Sequence, residues 1–192
     1  MQSTRKREIL FFRNAAEFRK WLAANHRQAE GIWVRISKKN SAKSSVTYAE
    51  ALDEALCFGW IDGQKQQQND SSWLQGFSRR RPKSGWSKIN TKHAERLIAK
   101  KKMKPAGQAE IDAAKKDGRW TSAYDSPSKA TFPEDFLAAV RRDKKAKAFF
   151  ESLNKANLYA IAYRLQTAKK PETRQKRMEM ILGMLAAGRA FH

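Results

Sequence analysis

The sequence predicts an α+β fold: a small mixed sheet in the order βαβαββ with packed helices, followed by a C-terminal three-helix segment. Three observations carry that expectation. Strand-like runs alternate with helix-period stretches through the front of the chain, two strand-like runs then follow one another directly, and beyond residue 134 only helical spacing remains. With 192 residues, 41% of them hydrophobic, the chain is long enough to bury a core.

Ile9–Phe12 reads as a strand, and Asn14 suits the cap of a helix in which Phe18, Trp21 and Leu22 share one face. After Glu30 and Gly31, the run Ile32–Ile36 alternates as a second strand, and Lys38–Ser45 is a polar loop. Thr47 and Glu50 have capping-box spacing, and Ala51, Leu52, Ala55 and Leu56 form an apolar stripe that runs to Cys57 and stops near Gly59. Trp60–Gly63 and Ser72–Phe77 are two strands of a hairpin, joined by polar Gln64–Asp70. Ser87–Ile98 and Ala106–Lys116 are helices, the first with Ile89, Ala94, Leu97 and Ile98 available to pack. Residues 1–120 are thus expected to form the α+β domain, 121–133 a linker, and 134–192 the helical segment. Its helices are expected over Glu134–Leu153, Asn157–Ala168 and from Pro171 to Gly188.

Forty Lys and Arg against nineteen Asp and Glu give a net charge of +21. Arg79–Lys104 holds eleven basic residues and one acid, and Arg141–Arg177 holds twelve and three, so these two segments contain nearly the whole excess. A localised basic surface makes an anionic partner, nucleic acid included, the first expectation. No run of apolar residues is long enough for a membrane-spanning helix, and Ile9–Phe12 is too short for the core of a secretory leader, so a cytoplasmic location is expected. One cysteine, Cys57, excludes an internal disulfide and a thiol redox pair. His26, His93 and His192 lack metal-site spacing, and no glycine-rich phosphate loop is present, so neither a metal nor a cofactor is expected.

Arg79-Arg-Arg-Pro-Lys-Ser-Gly-Trp-Ser-Lys88 is the sharpest local feature. Arg79, Arg80, Arg81, Lys83 and Lys88 suit phosphates or carboxylates, Trp86 suits a stacked base or a core position, and Ser87 caps the next helix where its first-turn amides attract anions. Trp60, Asp62 and Trp73 form a second candidate, a pocket with one acid between aromatic walls, whose plainer reading is cross-strand core plus a turn. Cys57 lies on an apolar helix face, where a thiol behaves as a small hydrophobe.

Glu54-Ala-Leu-Cys-Phe-Gly-Trp-Ile-Asp-Gly63, Arg79-Arg-Arg-Pro-Lys-Ser-Gly-Trp-Ser-Lys-Ile-Asn90 and Ala168-Lys-Lys-Pro-Glu-Thr-Arg-Gln-Lys-Arg177 together resemble the YdeI/OmpD-associated family over most of the chain. The resemblance implies tolerance of bacteriocins or cationic peptides and an association with an outer-membrane porin; it carries over no catalytic residue. The leading expectation is therefore a non-enzymatic binding protein with a basic surface for an anionic partner. Two alternatives stand beside it: a small-molecule-binding protein or enzyme using the Trp60, Asp62 and Trp73 pocket, and a protein-interaction module acting through the helical tail. Oligomeric state is left open by the sequence.

Overall fold

The computed structural model describes residues 7–39, 41, 44–126, 131–168 and 170–192. The chain divides into two compact units, one comprising residues up to Ser84 together with Lys92–Trp120, the other Gly85–Thr91 together with Thr121–His192. Residues 85–91 join the second unit by a short parallel bridge between Ser87 and Tyr124, in which Tyr124 N–H donates to the Trp86 carbonyl and Lys88 N–H to the Tyr124 carbonyl. The stretch expected as a linker therefore contributes a paired segment to that unit.

The first unit follows the βαβαββ order with β1 (Ile9–Phe11), α1 (Ala15–Asn25), β2 (Gly31–Ser37), α2 (Tyr48–Cys57), β3 (Trp60–Gln67) and β4 (Ser72–Arg79). The strands lie β1-β2-β4-β3, with β1 parallel to β2 and β4 antiparallel to both β2 and β3. Asn14 caps α1 by accepting from Glu17 N–H, and Thr47 and Glu50 complete a reciprocal capping box on α2. Pairings of Ile32 with Phe77 and Val34 with Gln75 set the helix-covered face of the sheet, where Phe18 of α1 meets Phe77 at 5.6 Å between ring centroids. β3 runs further than the hydrophobic pattern indicates, because beyond a register shift between Asp62 and Lys65 the residues Lys65–Gln67 pair with Trp73–Gln75 of β4 on an exposed edge, where polar side chains are suited. Asn69 turns the hairpin, its Oδ1 accepting from the N–H groups of Ser71 and Ser72.

α3 (Lys88–Ala99) and α4 (Pro105–Lys116) follow. Ala94 and Leu97 of α3 are buried, whereas Ile89 and Ile98 remain exposed, so only half of the expected packing face is used. Asp53 of α2 accepts from Arg96 at 2.6 and 2.8 Å and from the His93 ring at 3.0 Å, which locks α3 to α2. α4 crosses α2 at Gly107, where an added Cβ would lie 2.4 Å from the Cys57 carbonyl oxygen and 2.6 Å from that of Leu56.

Among the described residues of the second unit, the segment from 134 onward holds four helices where three are expected: α5 (Glu134–Arg142), α6 (Lys144–Ser152), α7 (Lys155–Gln166) and α8 (Pro171–Ala186). Asp143 splits the first of them. It leaves the helical backbone at φ −110°, ψ 111°, and its carboxylate accepts from the N–H groups of Lys145 and Ala146, capping α6. Phe136, Val140, Ile161, Leu165, Ile181 and Leu185 form the core of this unit.

Two predictions follow from these contacts. Gly107→Ala should destabilise the protein by about 1–3 kcal/mol through backbone overpacking, whereas Gly183→Ala, in mid-helix with nothing within 4 Å of the added carbon, should stabilise it by about 0.5–1 kcal/mol; urea titrations of both variants check the opposite signs. Burial opposes the charge of Asp53, but hydrogen bonds from Arg96 and His93 and their charges outweigh it and hold the carboxyl below its usual range. Its stabilisation is present above the ordinary carboxylate pKa and is lost as pH falls through the lowered folded value. Asp53→Asn should therefore destabilise the chain at neutral pH and lose that effect in strong acid, as read from thermal melts across pH.

Candidate functional site

A cleft of about 610 Å³ opens at the end of the sheet where β4 finishes and β2 and β3 begin. Arg7, Arg27, Arg79, Arg80 and Arg81 line it, with Glu30 and Glu110 as its acids, so five guanidinium groups face two carboxylates. Local backbone chemistry brings them together. Gly59, at φ 74° and with room for no Cβ against the Ala106 carbonyl 2.9 Å away, turns the chain from α2 into β3. Its carbonyl accepts Arg80 N–H at 3.0 Å, tying the start of β3 to the end of β4.

The loop after α1 closes the opposite side. Trp60 is fully buried, its indole N–H donating to the His26 carbonyl at 3.1 Å, and Arg79 donates to the Arg27 carbonyl at 3.3 Å. His26 bonds the Leu22 carbonyl through Nδ1 at 2.9 Å; a carbonyl only accepts, so Nδ1 is the protonated nitrogen in this contact. The His26 ring lies 5.3 Å from that of Phe58, another lining residue.

The arginines of the motif have different environments. Arg80 is only 6% exposed and donates to the Ser84 hydroxyl at 3.4 Å, while the Ser84 carbonyl accepts from Arg119, itself held by the Asp117 carboxylate at 2.7 and 2.8 Å. Arg80 thus builds the floor of the cleft. Arg79 and Arg81 are exposed, and among the described residues Arg7, Arg27, Arg79 and Arg81 form no ion pair. Lys83 sits in the following turn at φ 63°, exposed.

Trp86, Ser87 and Lys88 belong to the second unit. Trp86 is 2% exposed, so its ring faces are not offered for stacking, and it takes the core position that the sequence left open. Ser87 accepts from Asn90 N–H as the cap of α3, and Lys88 pairs with Asp125 at 2.8 Å, which answers its charge within the chain.

The Trp60, Asp62 and Trp73 pocket does not form. Trp60 pairs across the hairpin with Arg79 and Trp73 with Gln67, so the two indoles stand at opposite ends of β4. Asp62 accepts from the Tyr48 hydroxyl at 2.8 Å, and Tyr48 lies 6.1 Å from Trp73, whose other neighbour is the Lys65 ammonium at 4.3 Å from the ring centroid. Burial, then the bond to the Asp62 carboxylate, push the Tyr48 phenol above its usual pKa, so it stays a neutral donor. Sequence reasoning missed Arg7, His26 and Arg27; they sit at a strand start and a helix end, and which ends meet follows from strand order alone.

Cys57 is fully buried. Burial first, then the nearby Glu54 and Asp53 carboxylates, push its thiol up against the opposing pull of Arg19. A thiol-specific reagent at neutral pH should leave the native chain unlabelled over the time in which the denatured chain labels completely.

The model described as Bacteriocin-protection, YdeI or OmpD-Associated matches residues 129–188, within the second unit. The model described as Domain of unknown function (DUF8412) matches residues 10–110, the stretch that contains most of the cleft and two of the three motifs behind the resemblance, Glu54–Gly63 and Arg79–Asn90. The YdeI/OmpD-associated match therefore rests on a part of the chain, the part that carries Ala168–Arg177. No curated protein and no solved structure matches the chain. With more than half of its length inside the match to residues 10–110, the chain belongs to the DUF8412 family, and residues 129–188 that follow match the YdeI/OmpD-associated model.

Proposed function

We propose that this chain is a non-enzymatic anion-binding protein whose ligand site is the arginine cleft of the first unit. The observation that carries the reading is the convergence of Arg7, Arg27, Arg79, Arg80 and Arg81, from before β1, after α1 and the end of β4, on one concavity with only two acids. Guanidinium groups bind phosphates and carboxylates through paired N–H donors, and a rigid fork loses little freedom on binding. A volume of about 610 Å³ falls in the range of small-ligand sites. It suits a compact multivalent anion or a short length of phosphodiester backbone, and is too small to enclose a duplex.

Among the described residues no helix is long and apolar enough to cross a membrane, and a cytoplasmic site of action fits this reading. The words bacteriocin protection in the description of the matched segment connect the protein to tolerance of bacteriocins or cationic peptides. A protein this basic does not capture cationic peptides by charge; its contribution to tolerance runs through an anionic partner.

The test leaves the buried Arg80 in place. Arg79→Ala/Arg81→Ala should weaken binding of tripolyphosphate and of a short labelled oligonucleotide by tenfold or more, and lower the slope of log affinity against log salt for the oligonucleotide by roughly one to two. Lys144→Ala/Lys145→Ala removes the same charge from exposed positions on α6 and should change affinity little. Equal losses in the two double variants would mean that net charge, and not the cleft, attracts the anion.

A further inference from the structure

The sheet of the first unit has a second face, opposite the one covered by α1. Alternation along the strands sends Ile9 and Phe11 of β1, Trp33 and Arg35 of β2, and Leu74 and Gly76 of β4 to that side. Ile9 is 50% exposed, Phe11 and Trp33 are half-buried, Leu74 and Gly76 are buried, and Arg35 is exposed with its guanidinium 5.1 Å from the Phe11 ring centroid. β1 and β2 are parallel with Ile9 opposite Trp33 and Phe11 opposite Arg35, so the two aromatic residues are diagonal neighbours, about 8 Å apart from strand spacing and rise. Gly76 lies opposite Trp33, and a Cβ built on it would sit 3.3 Å from Trp33 Cζ3; the glycine lets the indole lie down against the sheet. A side chain at this position would tilt the ring away.

The face is also continuous with the cleft. Arg7 lines the cleft, yet its Nε lies 3.1 Å from a Cβ built on Gly31 and its Nη1 3.5 Å from one built on Gly76, so its side chain spans the ground between the two sites. Ser78, another lining residue, alternates to this same face. β1, β2 and β4 contain no acidic residue, so the charges on their open face, with Arg7 beside them, are cationic.

From this geometry we propose that the open face is a stacking platform and that the ligand is single-stranded nucleic acid, its phosphates in the arginine cleft and over Arg7 and Arg35, its bases on Trp33 and Phe11. The proposal rests on the reading of the cleft as an anion site and names the partner. Only unpaired bases offer their flat faces to a protein surface; in a duplex those faces are stacked on one another. Flat rings flanked by guanidinium groups, with no carboxylate on β1, β2 or β4, match such a strand in both its apolar and its charged parts. An acidic protein segment would use the arginines and gain little from rings laid against the sheet.

Fluorescence anisotropy and competition with the full chain separate these outcomes, using labelled single-stranded RNA and DNA 12-mers, the matching duplex, long-chain polyphosphate and polyglutamate. The single strands should bind more tightly than the duplex and than polyglutamate. Trp33→Ala should weaken single-strand binding by roughly tenfold or more while leaving polyphosphate affinity unchanged, Trp33→Phe should retain most of it, and Arg79→Ala/Arg81→Ala should weaken both ligands. Because Trp33 also packs on Gly76, the wild-type chain supplies a second measurement: photocrosslinks from a 5-iodouracil-substituted 12-mer should map to Trp33 or Phe11. Crosslinks confined to other surfaces, duplex or polyglutamate bound as tightly as single strands, or polyphosphate and single strands equally weakened by Trp33→Ala would each overturn the stacking platform and leave the cleft reading standing. Failure of every anion to bind would remove both.

Discussion

Gly59 is the second of the two residues between the end of α2 and the start of β3, and its left-handed backbone makes the candidate site possible. With φ at 74° it turns the chain sharply enough for Trp60 to enter the sheet fully buried while its own carbonyl receives the N–H of Arg80. That bond joins the beginning of β3 to the residue just beyond β4, and the antiparallel register then fixes Arg79 opposite Trp60. A β-carbon here would meet both the wrong backbone region and the Ala106 carbonyl. The cleft is therefore a consequence of backbone geometry before any charge is considered. Arg79 is bonded to the Arg27 carbonyl and Arg80 to the Ser84 hydroxyl, which limits the freedom these two must surrender when an anion arrives.

The chain carries a large positive excess, and the structure sorts its arginines by what answers their charge. Arg96 is held by Asp53, Arg119 by Asp117 and Arg174 by Asp135. Each of these contacts orders an element: α3 on α2, the end of α4, and α5 on α8. Among the described residues, the exposed cleft arginines bond a carbonyl at most, as Arg79 does with that of Arg27. A carbonyl orients a guanidinium without neutralising it. The same molecule thus contains arginines whose charge supports the fold and arginines whose charge remains available to a ligand, and sequence composition alone does not tell them apart.

Much of the fold is legible in the sequence because it is encoded locally. Thr47 and Glu50 announce their helix by capping chemistry, the period of Ile32–Ile36 announces a strand, and the tail reads as helix throughout. The errors have physical causes of equal clarity. Asp143 was invisible as a break because the apolar period continues across it from Val140 to Phe149 and Phe150, and only the carboxylate's bonds to Lys145 and Ala146 divide the helix. Gln64–Gln67 were hidden as strand because an exposed edge needs no hydrophobic alternation. The candidate site was half legible: the Arg79–Arg81 motif contributes three lining residues, but the partners Arg7, His26 and Arg27 come from segments brought near by strand order. Trp60, Asp62 and Trp73 failed as a pocket for a related reason, since a hairpin's register decides which aromatic residues meet.

Trp60 and Trp33 show how position decides the use of an aromatic residue. Trp60 is closed off on all sides; its ring meets Trp21 edge-on at 5.8 Å and its one donor is spent on the His26 carbonyl, so it serves the cleft from beneath. Trp33, on the same sheet, faces the side opposite α1 and rests against a glycine that presents no side chain. Burying an indole with its N–H satisfied yields rigidity, while leaving one half-buried on a flat surface keeps a ring face in contact with water, where any planar apolar group that displaces the water is favoured. Two tryptophans of one sheet therefore have separate uses, a fixed floor under the arginines and a half-buried ring on the opposite face, and the position of each along its strand assigns it.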